Sequence, residues 1–122
     1  MSVRAVRGAI TVETNSAEEI WSATEELVRE IVARNDLNVD DIASVLFTTT
    51  EDLNAAFPAK GARNLEGWDD VPLTCAQEIP VPGSLPCCIR VMMHINTEKG
   101  NKDIHHVFLR EAVKLRPDLA NR

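Results

Sequence analysis

The chain has 122 residues, of which 44% are hydrophobic and 26% charged, a composition that excludes collagen-like, disordered and disulfide-scaffold proteins. Thirteen Lys and Arg against nineteen Asp and Glu leave a net charge of −6, which argues against a general nucleic-acid or anionic-membrane surface. No apolar run approaches the roughly 18 residues of a membrane span, and MSVRAVRGAITVE at the N-terminus lacks the apolar stretch of a signal peptide.

In chain order, residues 3–13 alternate Val6, Gly8, Ile10 and Val12 against Arg7, Ala9 and Thr11, which predicts a strand. Ser16 and Glu19 form a capping box that opens a helix over 16–35, with Ile20, Ala23, Leu27, Val28, Ile31 and Val32 on its apolar face. Most of the acidic residues between Glu13 and Asp52 read as a solvated helix face. Asn38 with Asp41 marks a short helical start, and ASVLFTT at 43–49 suits a strand. Glu51 to Phe57 predicts a helical turn stopped by Pro58, and Ala59 to Glu66 another stopped by Gly67. Val71 to Cys75 reads as a short strand, IPVPGSLP as a loop, and Cys88 to Thr97 as the clearest strand of the chain. There Ile89, Val91, Met93 and Ile95 take one face, and Cys88, Arg90, Met92 and His94 the other. After a turn at EKGNK, a final strand is expected over 106–115, with His106, Phe108 and Arg110 on one face. These elements add up to one α+β domain, a sheet of about five strands covered by one long helix.

The chemistry-bearing residues point to an anion site. Arg90 lies in the middle of an apolar strand, where a guanidinium needs a partner. It is either a structural ion pair, with Glu78 available, or part of a pocket. Arg7 repeats the pattern in the first strand, Lys60 and Arg63 flank a Gly-containing segment, and Arg116 follows the last strand. Guanidinium forks suit carboxylates or phosphates. Cys75, Cys87 and Cys88 are an odd set, with an adjacent pair poorly shaped for a mutual disulfide and no CxxC or zinc-like spacing. They fit a cytoplasmic protein with reduced thiols and no bound metal. No base is placed by sequence to activate Cys75 as a nucleophile. His105 and His106 read as turn surface, and Met92 and Met93 as core packing.

Four segments in order, VRGAITVE, DLNAAFPAKGARNLEGW, VPLTCAQEIPVPGSLPCCIRVMMH and LRPDL, resemble the monofunctional trimeric chorismate mutases of the Bacillus type over nearly the whole chain. The resemblance implies one chorismate mutase domain over 1–122 and a homotrimer in the form of a pseudo-α/β barrel. Its active sites would lie between subunits and rearrange chorismate to prephenate without a cofactor. It assigns Arg7 to a substrate carboxylate, Arg90 to the ether oxygen and a carboxylate, and Glu78 to the substrate hydroxyl, with Cys75 beside it in the same wall. Phe57, Ala59, Lys60 and Arg63 would form the pocket edge, Leu73 and Thr74 the strand before Cys75, and Leu115 and Arg116 a tail closing over the site. The sequence departs from the family at Phe108, where a tyrosine is usual; the ring is kept and one hydroxyl is lost. A non-catalytic binding trimer of the same fold would be expected to lack Arg90 or Glu78, and both are present. A trimeric enamine/imine deaminase would share the shape but not the CAQE and CIRVMM segments.

Overall fold

The structure, a computed structural model, describes residues 1–120; the last two residues of the expected domain lie outside the described residues. Strand β1 (Ser2–Thr11) is followed by helix α1 (Ala17–Arg34), β2 (Ile42–Thr49), the short α2 (Ala59–Arg63), β3 (Leu73–Gln77), β4 (Cys88–Thr97), β5 (Val107–Leu109) and a terminal turn of helix α3 (Pro117–Ala120). The chain is α+β, with one mixed sheet in the order β3-β2-β4-β1-β5. β4 runs antiparallel to both β1 and β2, while β3 and β5 extend the sheet as parallel neighbours of β2 and β1. A parallel neighbour requires a crossover. The segment from Thr50 to Pro72, which carries α2, supplies the one between β2 and β3.

Helix α1 forms where the apolar spacing predicts it, because Ile20, Ala23, Leu27, Val28 and Ile31 fall on one stripe and are all buried. Full burial of each larger aliphatic side chain contributes about 1.5–3 kcal/mol. The capping box is only half formed. Ser16 Oγ accepts the Glu19 N–H at 3.2 Å, but the Ser16 N–H goes to the Thr14 carbonyl instead of the Glu19 side chain. At the other end, buried Asn35 accepts the His105 N–H (2.8 Å) and donates to the His105 (2.8 Å) and Ile31 (3.0 Å) carbonyls. That side chain fixes where the chain enters β5. Gly8 lets the helix lie against the sheet: a Cβ there would stand 2.9 Å from Ile31 Cδ1 and 3.1 Å from the Val107 carbonyl oxygen.

The helix-facing side of the sheet carries Val6, Ile10, Val45, Phe47, Ile89, Val91, Met93, Ile95 and Val107, all buried. The second side carries Arg7, Ala9, Leu46, Thr48, Cys88, Arg90, Met92 and His94. At one end a small apolar cluster of Ala9, Cys88, Phe108 and Ala112, joined by Leu85, Leu115 and Leu119, closes over it. Leu46 on this side remains 36% exposed. Among the described residues no helix is long and apolar enough to cross a membrane.

Three expectations are corrected. The last strand does not run over 106–115: it ends at Leu109 and gives way to a 3-10 helix, Arg110–Leu115. Arg110 takes a left-handed φ of 56°, which turns its side chain from the Phe108 face to the Thr11 carbonyl (2.8 Å) and Glu26 on α1 (3.0 Å). The spacing of Phe108, Ala112, Leu115 and Leu119 is helical, and those residues form the closing cluster. Pro58 begins α2 instead of stopping a helix, as its fixed φ of −62° suits a first turn, and Glu51 to Phe57 makes only turns. The third strand is displaced toward Gln77, because its ladder follows β2 from Val45 to Thr49.

Candidate active site

A row of residues crosses the second side of the sheet. Phe108 on β5 pairs with Ala9 on β1, Ala9 with Arg90 on β4, Arg90 with Thr48 on β2, and Thr48 with Ala76 on β3. Strand spacing puts Phe108 and Arg90 roughly 10 Å apart with only the Ala9 methyl between them. Glu78 follows β3, its N–H donating to the Thr49 carbonyl at 2.8 Å, and its carboxylate turns back over the row. Thr48 Oγ1 donates to Glu78 Oε1 at 2.8 Å, and Arg90 Nε stands 4.0 Å from Glu78 Oε2. Arg7 lies one row away, paired with Met92, and its backbone N–H donates to His106 Nδ1 at 2.9 Å.

Arg90 is held by charge and not by a hydrogen bond at its Nε. That nitrogen is buried and has no hydrogen-bond partner among the described residues, while the side chain as a whole is 32% exposed. An unmet buried donor costs about 1–3 kcal/mol, which an anionic or ether oxygen brought to it would offset. The neighbouring Cys88 is fully buried in the cluster with Ala9, Phe108 and Ala112. Burial pushes its thiol up to about 11, even though the Arg90 charge pulls it down, so it packs as a neutral group. Phe108 is itself 5% exposed and belongs to this packing, as does half-buried Leu115. Arg116 grips Asp118 through two bonds of 3.1 and 2.9 Å.

The pocket-edge residues lie elsewhere. Phe57, Ala59, Lys60, Arg63, Leu73, Thr74 and Cys75 line an open cleft of about 1020 Å³ between α1, α2 and the edge strand β3. Arg7, Glu78, Arg90 and Phe108 do not border it. Phe57 is 77% exposed at its rim. Cys75 pairs with Phe47 on the helix-facing side, and Glu78, just past the end of β3, accepts from Thr48 on the other. Seven of the expected site residues thus line this cleft, and Arg7, Glu78, Arg90 and Phe108 do not.

Sequence reasoning missed Thr48 and Asp52. Thr48 alternates with buried Phe47, but only the register sets it opposite Arg90. Asp52 closes the loop before β4: its carboxylate accepts the Cys87 N–H at 2.9 Å and the Thr50 hydroxyl, holding Cys87 at a left-handed φ of 52°. Partial burial would raise the Asp52 carboxyl, but the bonds from Thr50 and from the Cys87 N–H and thiol outweigh it and hold the group below its ordinary value. A lowered folded-state value means the clamp stabilises fully above the unfolded value of about 4 and is lost as pH falls through the folded one. Melting temperature measured from pH 6 to pH 2 should therefore fall more steeply for the parent than for Asp52→Asn, whose Tm is lower at pH 6 already. Parallel Tm curves would contradict the clamp.

An arginine–glutamate pair on one sheet face, with Lys60 and Arg63 on an edge cleft, gives this short α+β chain the charged groups of a small protein suited to anions. A family description, chorismate mutase type I, matches residues 3–119. Chorismate mutase AroH of Bacillus subtilis is 46% identical over 120 residues, covering 98% of this chain and 94% of that protein. The AroH of Thermus thermophilus is 51% identical over 118 residues, covering 96% of each. A solved chorismate mutase from Clostridium thermocellum superposes with a TM-score of 0.87 at 55% identity, covering 89% of this chain and 96% of that one. The chain belongs to the type I chorismate mutases.

Proposed function

We propose that this chain is a single-domain chorismate mutase that rearranges chorismate to prephenate. The observation that carries the reading is the Arg90–Glu78 pair, whose buried Arg90 Nε–H lacks an acceptor among the described residues, in a chain of this family. The reaction is intramolecular: a C–O bond breaks as a C–C bond forms, no proton has to move, and no covalent intermediate arises. Catalysis then needs selection of the compact conformer and stabilisation of the charge that builds as the ether bond opens. Arg90 supplies a permanent cation for the ether oxygen, Glu78 accepts the substrate hydroxyl, and Arg7 binds a carboxylate. A million-fold acceleration corresponds to about 8 kcal/mol, within reach of a few charge-assisted hydrogen bonds plus conformer selection.

The two separated groups support a homotrimer. If the edge cleft of one chain, with Phe57, Ala59, Lys60, Arg63, Leu73, Thr74 and Cys75, is set against the Arg90 face of the next, each contact completes one site. Such a head-to-tail contact closes into a ring, here a trimer in pseudo-α/β-barrel form. It also covers the face that leaves Leu46 partly exposed. The tail residues Leu115 and Arg116 close the site, and Arg116 exchanges Asp118 for a substrate carboxylate. The three cysteines are unpaired thiols, in keeping with a cytoplasmic enzyme. The test is loss of chorismate absorbance with time. The kcat should be nearly flat around neutral pH and show no solvent deuterium isotope effect. A bell-shaped kcat profile with an isotope effect on the chemical step would refute the mechanism, and absence of turnover would refute the function.

A further inference from the structure

Trp21 has no place in the chemistry above, yet it meets the α2 segment in three ways. Its indole Nε1–H donates to the Phe57 carbonyl oxygen at 3.2 Å. Its ring centroid lies 4.2 Å from Lys60 Nζ. Its backbone is approached so closely by Gly61 that a Cβ there would stand 2.6 Å from the Trp21 carbonyl oxygen and 3.1 Å from its Cα.

We propose that Trp21 is a positioning residue that presets the anion-binding edge of the site, an inference that rests on the chorismate mutase reading. The residues from Glu51 to Phe57 form only turns; Asn15 accepts the Asn54 and Ala55 N–H groups, and at the largely exposed Phe57 the Trp21 indole ties the rim to α1. The indole N–H ties its backbone to the rigid α1. Lys60 carries its charge on a flexible four-carbon stem whose ordering would otherwise be charged against binding. The π face of Trp21 draws the ammonium over the helix and restricts it near the cleft. A solvent-exposed cation–π contact is weaker than a charge-assisted bond, so a substrate carboxylate can take the ammonium from the ring. Gly61 makes this geometry possible, since any larger residue would push α2 off Trp21. The role predicts an effect on substrate binding that helix packing alone would not produce.

The decisive comparison is Trp21→Leu and Trp21→Phe against the parent with chorismate as substrate. Leu keeps an apolar contact but neither the ring nor the N–H; Phe keeps the ring alone. KM should rise about three- to tenfold in Trp21→Leu and less in Trp21→Phe, with kcat changed by less than about twofold. A second measurement needs no loss of the indole. The chain has two tryptophans, so protein grown with 5-fluorotryptophan gives two ¹⁹F resonances, assigned with Trp21→Phe or Trp68→Phe. Adding prephenate should shift the Trp21 resonance and leave buried Trp68 in place, and Lys60→Ala should remove most of that shift. A parent that turns over chorismate, with an unchanged KM in folded Trp21→Leu or an unmoved Trp21 resonance at saturating prephenate, would overturn the inference alone. A parent that neither turns over chorismate nor binds prephenate would overturn the reading beneath it.

Discussion

Arg90→Ala should lower kcat by at least about a hundredfold, comparable with removing an oxyanion-hole donor. The expectation follows from where Arg90 stands. Its Nε–H is buried and without an acceptor among the described residues, and Glu78, the carboxylate paired with it, is at 4.0 Å and already accepts from Thr48. That Nε–H therefore gains most when negative charge develops on an oxygen beside it. Arg90→Lys should recover little, because one ammonium on a flexible stem cannot reproduce a planar fork. Loss of the pair should not unfold the protein. A partly exposed ion pair at this distance contributes at most about 1 kcal/mol, and Thr48 still holds Glu78. Steady-state kinetics on variants with parental circular dichroism and Tm check the result. A folded Arg90→Ala with near-parental kcat would remove the charge-stabilisation mechanism.

Mixing two inactive variants should restore activity when their lesions lie in different groups. Arg63→Ala damages the edge cleft, where loss of a charged contact to the substrate costs about 2–5 kcal/mol, roughly thirtyfold or more in kcat/KM. Arg90→Ala damages the sheet face. If each site joins the face of one chain to the edge of the next, random equal mixing leaves about a quarter of the sites with both arginines. Co-refolded Arg63→Ala and Arg90→Ala should thus regain about a quarter of the parental kcat/KM. Arg7→Ala with Arg90→Ala should regain nothing, because both residues lie on the same face of the same chain. Recovery in the second mixture, or none in the first, would show that the site is not assembled in this way.

The separation of lesions on which that experiment depends was only partly legible in the residues. Arg7, Glu78 and Arg90 could be singled out because a charge in or beside an apolar strand needs an explanation. The alternation in Cys88–Thr97 already set Arg90 opposite Ile89 and Val91. The Arg90–Glu78 contact was one of two open readings, and the structure contains that ion pair. For Cys75 and Glu78 the resemblance is the guide, and within one chain Cys75 pairs with Phe47 while Glu78, past the end of β3, reaches Thr48. The final strand was overextended because Val107 and Leu109 begin an alternation that Arg110 ends by adopting a left-handed backbone, and the helical spacing beyond it was the better guide. Trp21 sits at the border of the α1 apolar stripe, next to Ile20, and nothing local distinguishes it from an ordinary packing residue.

By itself the sequence determined what depends on near neighbours along the chain. That covers α1 through its stripe and its Ser16 cap, β4 through its period of two, the proline-rich loop, and, through four ordered segments, the family. The tertiary structure decided what depends on distant partners. It set the strand order that brings Thr48 opposite Arg90, the anchoring of the β4 entrance by Asp52, and the closing of one end of the sheet by Phe108, Ala112 and Leu115. It also put Lys60 and Arg63 on a cleft that Arg90 does not line. The physical reason is range. Side-chain periodicity and capping act over a few residues, whereas register is set by which strands share a core, and Thr48 and Glu78 meet across 30 positions of chain.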